Sequence, residues 1–222
     1  MMRRPSAVIL DMDGLMLDTE PIAARAWTDA ATAIGIEFDR AVTASLVGRN
    51  FADCRALIVA HHGVAYPVDS LMQAWHAAYD AIVAREGITL KPGLLELLAW
   101  LDDRGIRKAV ATSTRRSRAQ AKLARVALAE RFDALVGGDE PARGKPAPDI
   151  FLLAAERLHV AAADCVVLED SEPGIRGAIA AGMTPLLVPD NAEPAATLAA
   201  LAPMRFDDLH GVRAHLAALP AA

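Results

Sequence analysis

The chain has 222 residues, of which 54% are hydrophobic, and a formal net charge of −5 with both signs interspersed. This balance is not typical of a nucleic-acid-binding protein, and no apolar run reaches the roughly eighteen residues of a membrane-spanning helix. The N-terminal residues show no signal-peptide pattern, so we expect a cytoplasmic protein, monomeric by default, that binds neither nucleic acid nor membrane. Its two cysteines, Cys54 and Cys165, have no partner at metal-ligand spacing.

The first predicted element is a buried strand that ends in two aspartates. Residues 7–10 read Ala-Val-Ile-Leu and are followed by Asp11-Met-Asp13-Gly14. Alternate residues of a strand point the same way, so the two carboxylates face one side, and Gly14 lets the chain turn. Open α/β sheets bind their ligands at such strand ends, and like charges this close need a cation or a shared proton. The motif therefore indicates a divalent metal and phosphate chemistry.

The next seventy or so residues have helical periodicity and no convincing strand. Four stretches have this periodicity: 20–34, 39–46, 50–62 and 69–84. We predict that residues 18–87 form an all-helical cap domain inserted into the core.

From Lys91 onward the pattern alternates between short apolar strands and helices. Predicted strands are 108–111, 135–136, 165–168 and 185–188, and predicted helices are 94–103, one ending near 127, 148–158, 174–181 and an Ala-rich final helix. This alternation predicts an α/β fold with a doubly wound parallel sheet, formed by residues 1–17 and 88–222.

Polar residues follow several of these strands. Thr112 and Ser113 end one strand at a helix start, where backbone N–H groups bind anions. Lys145 lies in a loop, and Glu169 and Asp170 directly follow another strand. Taken singly, each has a commoner role as a helix cap or a solvated loop residue. Together, at one sheet edge, they fit a magnesium ion and a substrate phosphoryl group.

These residues resemble the four ordered motifs of the haloacid dehalogenase superfamily: Asp11-Met-Asp-Gly, Thr112, Lys145 and Glu169-Asp170. The helical insertion resembles the cap of the subfamily that contains phosphoglycolate phosphatase and β-phosphoglucomutase. The resemblance implies a Rossmann-like core, a helical cap and a Mg²⁺ cofactor.

The resemblance also implies a role for each core residue. Asp11 is the expected nucleophile, forming an aspartyl-phosphate, and Asp13 is the expected general acid and then base. Thr112, Ser113 and Lys145 are expected to hold the phosphoryl group. The expected metal site comprises Asp11, Asp13, Glu169 and Asp170, with Asp13 contributing its backbone carbonyl and Glu169 binding a metal water or fixing the geometry. Expected specificity contacts near the cap are Glu20, Gly48, Arg49 and Asn50.

The predicted function is a Mg²⁺-dependent phosphatase acting on a small phosphomonoester, such as a sugar phosphate. A phosphomutase of the β-phosphoglucomutase type is an alternative, but it carries a His where this chain has Ala23 and a cap Lys near the position of Trp75, with His76 beside it. Phosphonate cleavage through a Schiff base is disfavoured because Lys91 and Lys122 are poor candidates. A non-enzymatic regulator that binds a phosphorylated metabolite would be favoured by loss of the nucleophile.

Overall fold

The computed structural model describes residues 3–46, 48–190, 196–201 and 204–220. Its core is a parallel sheet of five strands: β1 (Ala7–Leu10), β2 (Arg107–Ala111), β3 (Ala134–Val136), β4 (Cys165–Glu169) and β5 (Thr184–Leu187). Their order across the sheet is β3-β2-β1-β4-β5. The predicted doubly wound α/β fold is confirmed, and β1 lies at the centre, where the order of connections reverses.

The register of the sheet brings three strand ends to one level. Leu10 pairs with Val110 on one side and with Leu168 on the other. The residues that follow these positions therefore emerge together at the carboxyl edge of the sheet, where Asp11 N–H donates to the Leu168 carbonyl over 3.0 Å.

Ten α-helices are found within the described ranges. Four follow β1: α1 (Glu20–Ala33), α2 (Arg40–Leu46), α3 (Phe51–His62) and α4 (Val68–Glu86). Six belong to the core: α5 (Leu94–Asp102), α6 (Arg116–Arg125), α7 (Asp149–Leu158), α8 (Glu172–Ala180), α9 (Ala196–Leu201) and α10 (Leu209–Ala218).

The central strand is buried on both faces, as its unbroken apolar sequence predicts. Val8 and Leu10 belong to a buried cluster that includes residues of α5 and α10. Ala7 and Ile9 belong to a second cluster, which includes residues of α7. The two helical layers therefore fix β1 rigidly, and with it the position of the aspartates that follow.

The C-terminal part differs from the single final helix that was predicted. Two helices occur there, α9 and α10, and between them the chain adds to the sheet edge. Met204 and Phe206 hydrogen-bond through their backbones to Leu187 of β5, which extends this stretch and ends the helical path. Residues 191–195 and 202–203 of the predicted helix lie outside the described part of the chain.

Helices α1–α4 form a layer with apolar clusters of their own, separate from those on the sheet. The two chain segments that connect this layer to the core run side by side. Asp18 N–H donates to the Thr89 carbonyl, and Lys91 N–H donates to the Met16 carbonyl, each over 2.9 Å. The division into residues 18–87 and the remainder stays a prediction. Among the described helices, none is long and apolar enough to cross a membrane.

Candidate active site

Asp11 is held at the tip of β1 by a buried lysine. The Lys145 ammonium donates to Asp11 Oδ1 and to Glu169 Oε1, each over 2.5 Å, and to the Ala111 carbonyl over 3.1 Å. The side chains of Lys145 and Glu169 have no exposed surface. A buried ammonium with three oxygen partners is fully satisfied. The three strand ends are thus joined through one cation.

Glu169 is used within the protein. Its Oε2 accepts hydrogen bonds from the Asp170 and Ser171 N–H groups and from the Ser171 hydroxyl, over 2.9 to 3.1 Å. The carboxylate also lies against Gly174, where a Cβ would be 1.8 Å from Glu169 Oε1. Only glycine leaves room there. Glu169 therefore positions Lys145, which agrees with the expectation that it fixes the geometry.

Several carboxyl groups at this edge of the sheet are buried close to one another and repel one another. Burial raises the pKa of Asp11 to about 7, although Lys145 counteracts the rise. Burial, with Glu169 and Asp11, raises the pKa of Asp170 well above its ordinary range. Burial and the nearby Asp13 raise the pKa of Glu20 to about 7. Crowded buried carboxylates gain from a cation.

The donor set at this edge fits Mg²⁺, which prefers carboxylate oxygen ligands. A Cβ at Gly14 would lie 2.2 Å from Asp170 Oδ2, so the glycine leaves space for this carboxylate beside the turn after β1. Within the described ranges, no three His, Cys, Asp or Glu side chains are already gathered as a metal cluster.

The predicted metal site uses the Asp13 backbone carbonyl and gives Glu169 an indirect role, and the contacts of these two side chains fit that proposal. Both carboxylate oxygens of Asp13 and of Glu169 accept hydrogen bonds from protein donors, whereas one oxygen of Asp11 has no such donor among the contacts described. Asp11 and Asp170 remain the proposed side-chain ligands.

Asp13 is held by three donors. Lys122 Nζ lies 2.6 Å and Thr19 Oγ1 2.9 Å from Asp13 Oδ1, and Thr114 Oγ1 lies 2.7 Å from Oδ2. Burial alone would raise the pKa of Asp13, but Lys122 and these hydrogen bonds outweigh it and keep the pKa below its ordinary value. The resting carboxylate is therefore ionised, which is the form that accepts a proton from water.

The sequence interpretation missed the groups that hold Asp13. Lys122 was considered only for a Schiff base, yet it pairs with Asp13 across 109 residues. Thr19 and Thr114 were not singled out as partners of the aspartate. The available signal was weak: Thr114 belongs to the polar run after β2, and Lys122 lies on the helix that follows it.

Thr112 and Ser113 lie at the expected edge of the sheet. Thr112 is buried, and its Oγ1 accepts a hydrogen bond from Thr114 N–H over 3.1 Å. The Ser113 hydroxyl donates to the Gly48 carbonyl over 2.8 Å. This hydroxyl thus docks the α2–α3 loop on the core, which leaves the Ser113 backbone N–H as the group proposed for phosphate.

A cavity of about 290 Å³ separates the core edge from α1–α4. Its lining includes most of the predicted site residues: Asp11, Asp13, Thr112, Ser113, Glu20, Gly48 and Arg49. Asn50 is the exception among the specificity contacts. Its side chain caps α3, accepting from Asp53 N–H over 3.0 Å and donating to the Asp53 carboxylate. We therefore assign Asn50 a structural role as the N-cap of α3 rather than a role in substrate specificity.

Comparison with known proteins gives concordant results. Residues 5–182 match the family model described as haloacid dehalogenase-like hydrolase. Fructose-1-phosphate phosphatase YqaB from Escherichia coli is 33% identical over 184 residues, covering 82% of this chain and 96% of that protein. Beta-phosphoglucomutase from Bacillus subtilis is 35% identical over 183 residues, covering 80% of each.

Solved structures agree with this match. The crystal structure of CbbY from Rhodobacter sphaeroides in complex with phosphate has a TM-score of 0.78 and 29% identity, over 92% of this chain and 95% of that one. The resemblance predicted from the four motifs is confirmed, as is the prediction of a hydrolase. The chain belongs to the haloacid dehalogenase-like hydrolase family.

Proposed function

We propose that this hydrolase is a Mg²⁺-dependent phosphatase of small phosphomonoesters. One observation carries the proposal: Asp11, paired with the buried Lys145, faces the same cavity as Asp13 and the Thr112-Ser113 turn. This arrangement supplies a nucleophile, a proton-transfer group and a polar turn with backbone N–H groups within one enclosed space.

The proposed reaction has two steps. The substrate enters as its monoanion and passes its proton to Asp13. An Asp11 carboxylate oxygen then attacks phosphorus, the bond to the leaving oxygen breaks, and Asp13 gives that oxygen the proton. Water then attacks the aspartyl-phosphate, Asp13 accepts the proton, and inorganic phosphate is released.

Other residues support these steps by holding charge. Lys145 offsets the repulsion between Asp11 and an anionic substrate, and Thr112 with the Ser113 N–H is proposed to bind phosphoryl oxygens. Lys122 keeps Asp13 ionised for the second step. A Mg²⁺ ion held by Asp11, Asp170 and the Asp13 carbonyl would neutralise phosphoryl charge.

Relatives suggest where the substrate search should begin. The Escherichia coli relative is named for fructose 1-phosphate, and another, from Thermotoga maritima, for phosphorylated carbohydrates. We therefore include sugar phosphates among the proposed substrates.

A phosphomutase is the second candidate, since the Bacillus subtilis relative has that name. In this chain the two positions that differ from the mutase pattern, Ala23 and Trp75, contact each other. Trp75 Nε1 donates to the Ala23 carbonyl over 3.2 Å, so neither position offers an imidazole or an ammonium group to the substrate. The identity of these two side chains favours hydrolysis over transfer, although the His76 imidazole lines the cavity beside Trp75.

The test is phosphate release from small phosphomonoesters, with Mg²⁺ and with a chelator. Fructose 1-phosphate, glycerol 3-phosphate and β-glucose 1-phosphate are included, the last with a coupled assay for glucose 6-phosphate. Metal-dependent release that is lost in Asp11→Asn supports the phosphatase. Glucose 6-phosphate formed without phosphate release would show a mutase. Binding without turnover of any compound would favour the regulator.

A further inference from the structure

Helices α1–α4 form an apolar recess in the wall of the cavity. It comprises Ala23, Trp27, Leu46, Cys54, Met72 and Trp75, which all line the cavity. The two tryptophan rings lie with centroids 5.2 Å apart. The recess therefore presents aromatic and aliphatic surface to whatever is attached to the phosphate.

Two polar groups of the recess are used within the protein. Trp75 Nε1 donates to the Ala23 carbonyl over 3.2 Å, and Cys54 Sγ lies 3.6 Å from the Leu46 carbonyl. A substrate hydroxyl placed against these two groups would lose its water without gaining a partner from them. Leaving a polar group buried and unpaired is unfavourable, whereas an apolar group gains free energy by leaving water.

A flat surface adjoins the recess. The rings of Phe51 and His76, which also line the cavity, are stacked with an interplanar angle of 9° and a centroid separation of 5.1 Å. Aromatic surfaces of this kind favour planar ring ligands, which they contact by offset stacking or edge to face.

Charged groups are concentrated on the core side. Asp13, Arg115, Arg118 and Lys122 line the cavity there, next to the Thr112-Ser113 turn. Glu20 and Arg49 are the charged lining residues contributed by the cap helices and their loop. Most charged lining residues thus come from the core, whereas the apolar lining residues come from helices α1–α4.

We propose that the substrate is a phosphomonoester whose leaving group carries a planar, largely apolar ring, which enters this recess. The proposal rests on the proposed phosphatase function and specifies its substrate class. It places aryl or heteroaryl compounds ahead of polyhydroxylated sugars, because the aliphatic side chains and ring faces that make up most of the recess offer hydroxyls no hydrogen-bond partner.

The experiment compares phosphomonoesters of primary alcohols, whose leaving oxygens have similar intrinsic reactivity. The set is 2-phenylethyl phosphate, ethyl phosphate and glucose 6-phosphate, each measured with Mg²⁺. We expect kcat/KM for 2-phenylethyl phosphate to exceed that of the other two by about tenfold or more, because burying the ring contributes to transition-state binding.

A matched pair of variants tests the recess itself. Ala23→Leu fills it, while Ala33→Leu places the same substitution on the exposed end of the same helix. We expect the ratio of kcat/KM for 2-phenylethyl phosphate to that for ethyl phosphate to fall about fivefold or more in Ala23→Leu. In Ala33→Leu the ratio should equal that of the wild type. Thermal unfolding of both variants establishes that they are folded.

The outcomes separate this inference from the proposed function. Faster turnover of glucose 6-phosphate than of 2-phenylethyl phosphate would overturn the ring proposal and leave the phosphatase standing. A ring preference that Ala23→Leu does not change would overturn the assignment to the recess. Lack of Mg²⁺-dependent phosphate release from all three esters and from the sugar phosphates would overturn both.

Discussion

Asp11 is a buried carboxylate whose charge is balanced by a buried ammonium. Lys145 shares its proton donors between Asp11, Glu169 and the Ala111 carbonyl, so the nucleophile is held from one side by a fixed cation. Removing one member of such a buried pair leaves an uncompensated charge, which is strongly destabilising. A substitution that keeps a hydrogen-bond acceptor for Lys145 therefore tests the chemistry better than a truncation.

Asp11→Asn meets this condition. The amide oxygen can still accept from Lys145, but an amide does not form the acyl phosphate, so we expect kcat to fall by about a thousandfold or more. The change is measured as phosphate release with Mg²⁺, and thermal unfolding serves as the control for folding. Activity within tenfold of the wild type would contradict the proposed nucleophile.

Lys122→Met tests the group that holds Asp13. The variant removes the 2.6 Å contact while Thr19 and Thr114 remain, so Asp13 should be less well oriented toward the leaving oxygen. We expect kcat/KM, which reports the first step, to fall about 10- to 100-fold for ethyl phosphate and much less for p-nitrophenyl phosphate, whose leaving group needs no proton. Lys122→Arg, which keeps the cation, should recover part of the loss. Equal losses for both substrates would contradict a role through Asp13.

Among the elements, the α2–α3 loop makes a close contact with the core. Gly48 has a φ of +73°, and a Cβ there would lie 2.4 Å from Ser171 Oγ. Its carbonyl accepts from the Ser113 hydroxyl. The loop is thus docked by one glycine between two residues that follow β2 and β4, beside the proposed phosphate site.

Gly48→Ala should weaken this docking, because the methyl group both strains the backbone and meets Ser171. We expect kcat/KM to fall about 5- to 50-fold, as a strained or clashing position costs about 1–3 kcal/mol. Gly63→Ala is the matched control: its φ is +92°, and its Cβ would have no neighbour within 4 Å. Equal kcat/KM values for the two variants would contradict a specific docking role for Gly48.

Most elements could be predicted from periodicity, since apolar strands and amphipathic helices depend on local sequence. The helices at 20–34 and 50–62 differ from the observed α1 and α3 by one residue at an end. The break between α9 and α10 could not be predicted, because it depends on hydrogen bonds to Leu187 of β5. The same limit applies to the site: strand ends could be read from the sequence, but the pairing of Lys122 with Asp13 is a tertiary contact.

For the molecule as a whole, one carboxylate links several parts of the core. Glu140, in the loop after β3, accepts from Arg157 of α7, from Arg116 of α6 and from Gly137 N–H. Burial would raise its pKa, but Arg157, the Gly137 N–H and Arg116 together lower it to about 2, from an ordinary value of 4.5. This depressed pKa makes Glu140 a contributor to acid sensitivity.

A carboxyl group with a lowered folded-state pKa stabilises the protein above its unfolded-state pKa and loses this contribution as the pH falls. We expect Glu140→Gln to be less stable than the wild type at pH 7, and the difference to shrink between about pH 4.5 and pH 2. Urea unfolding of both proteins at pH 7 and pH 3 measures this. A difference in unfolding free energy that is the same at both pH values would contradict the linkage.

The two chain segments that join helices α1–α4 to the sheet run side by side, with Leu17 paired to Leu90. The residues between these two segments could be replaced by another insertion without changing the strand order of the sheet or the position of Asp11. Asp11, Asp13 and the Thr112-Ser113 turn lie outside this stretch, while the recess residues lie within it. Substitutions confined to one continuous stretch of chain would therefore reshape the recess and leave the proposed nucleophile in place.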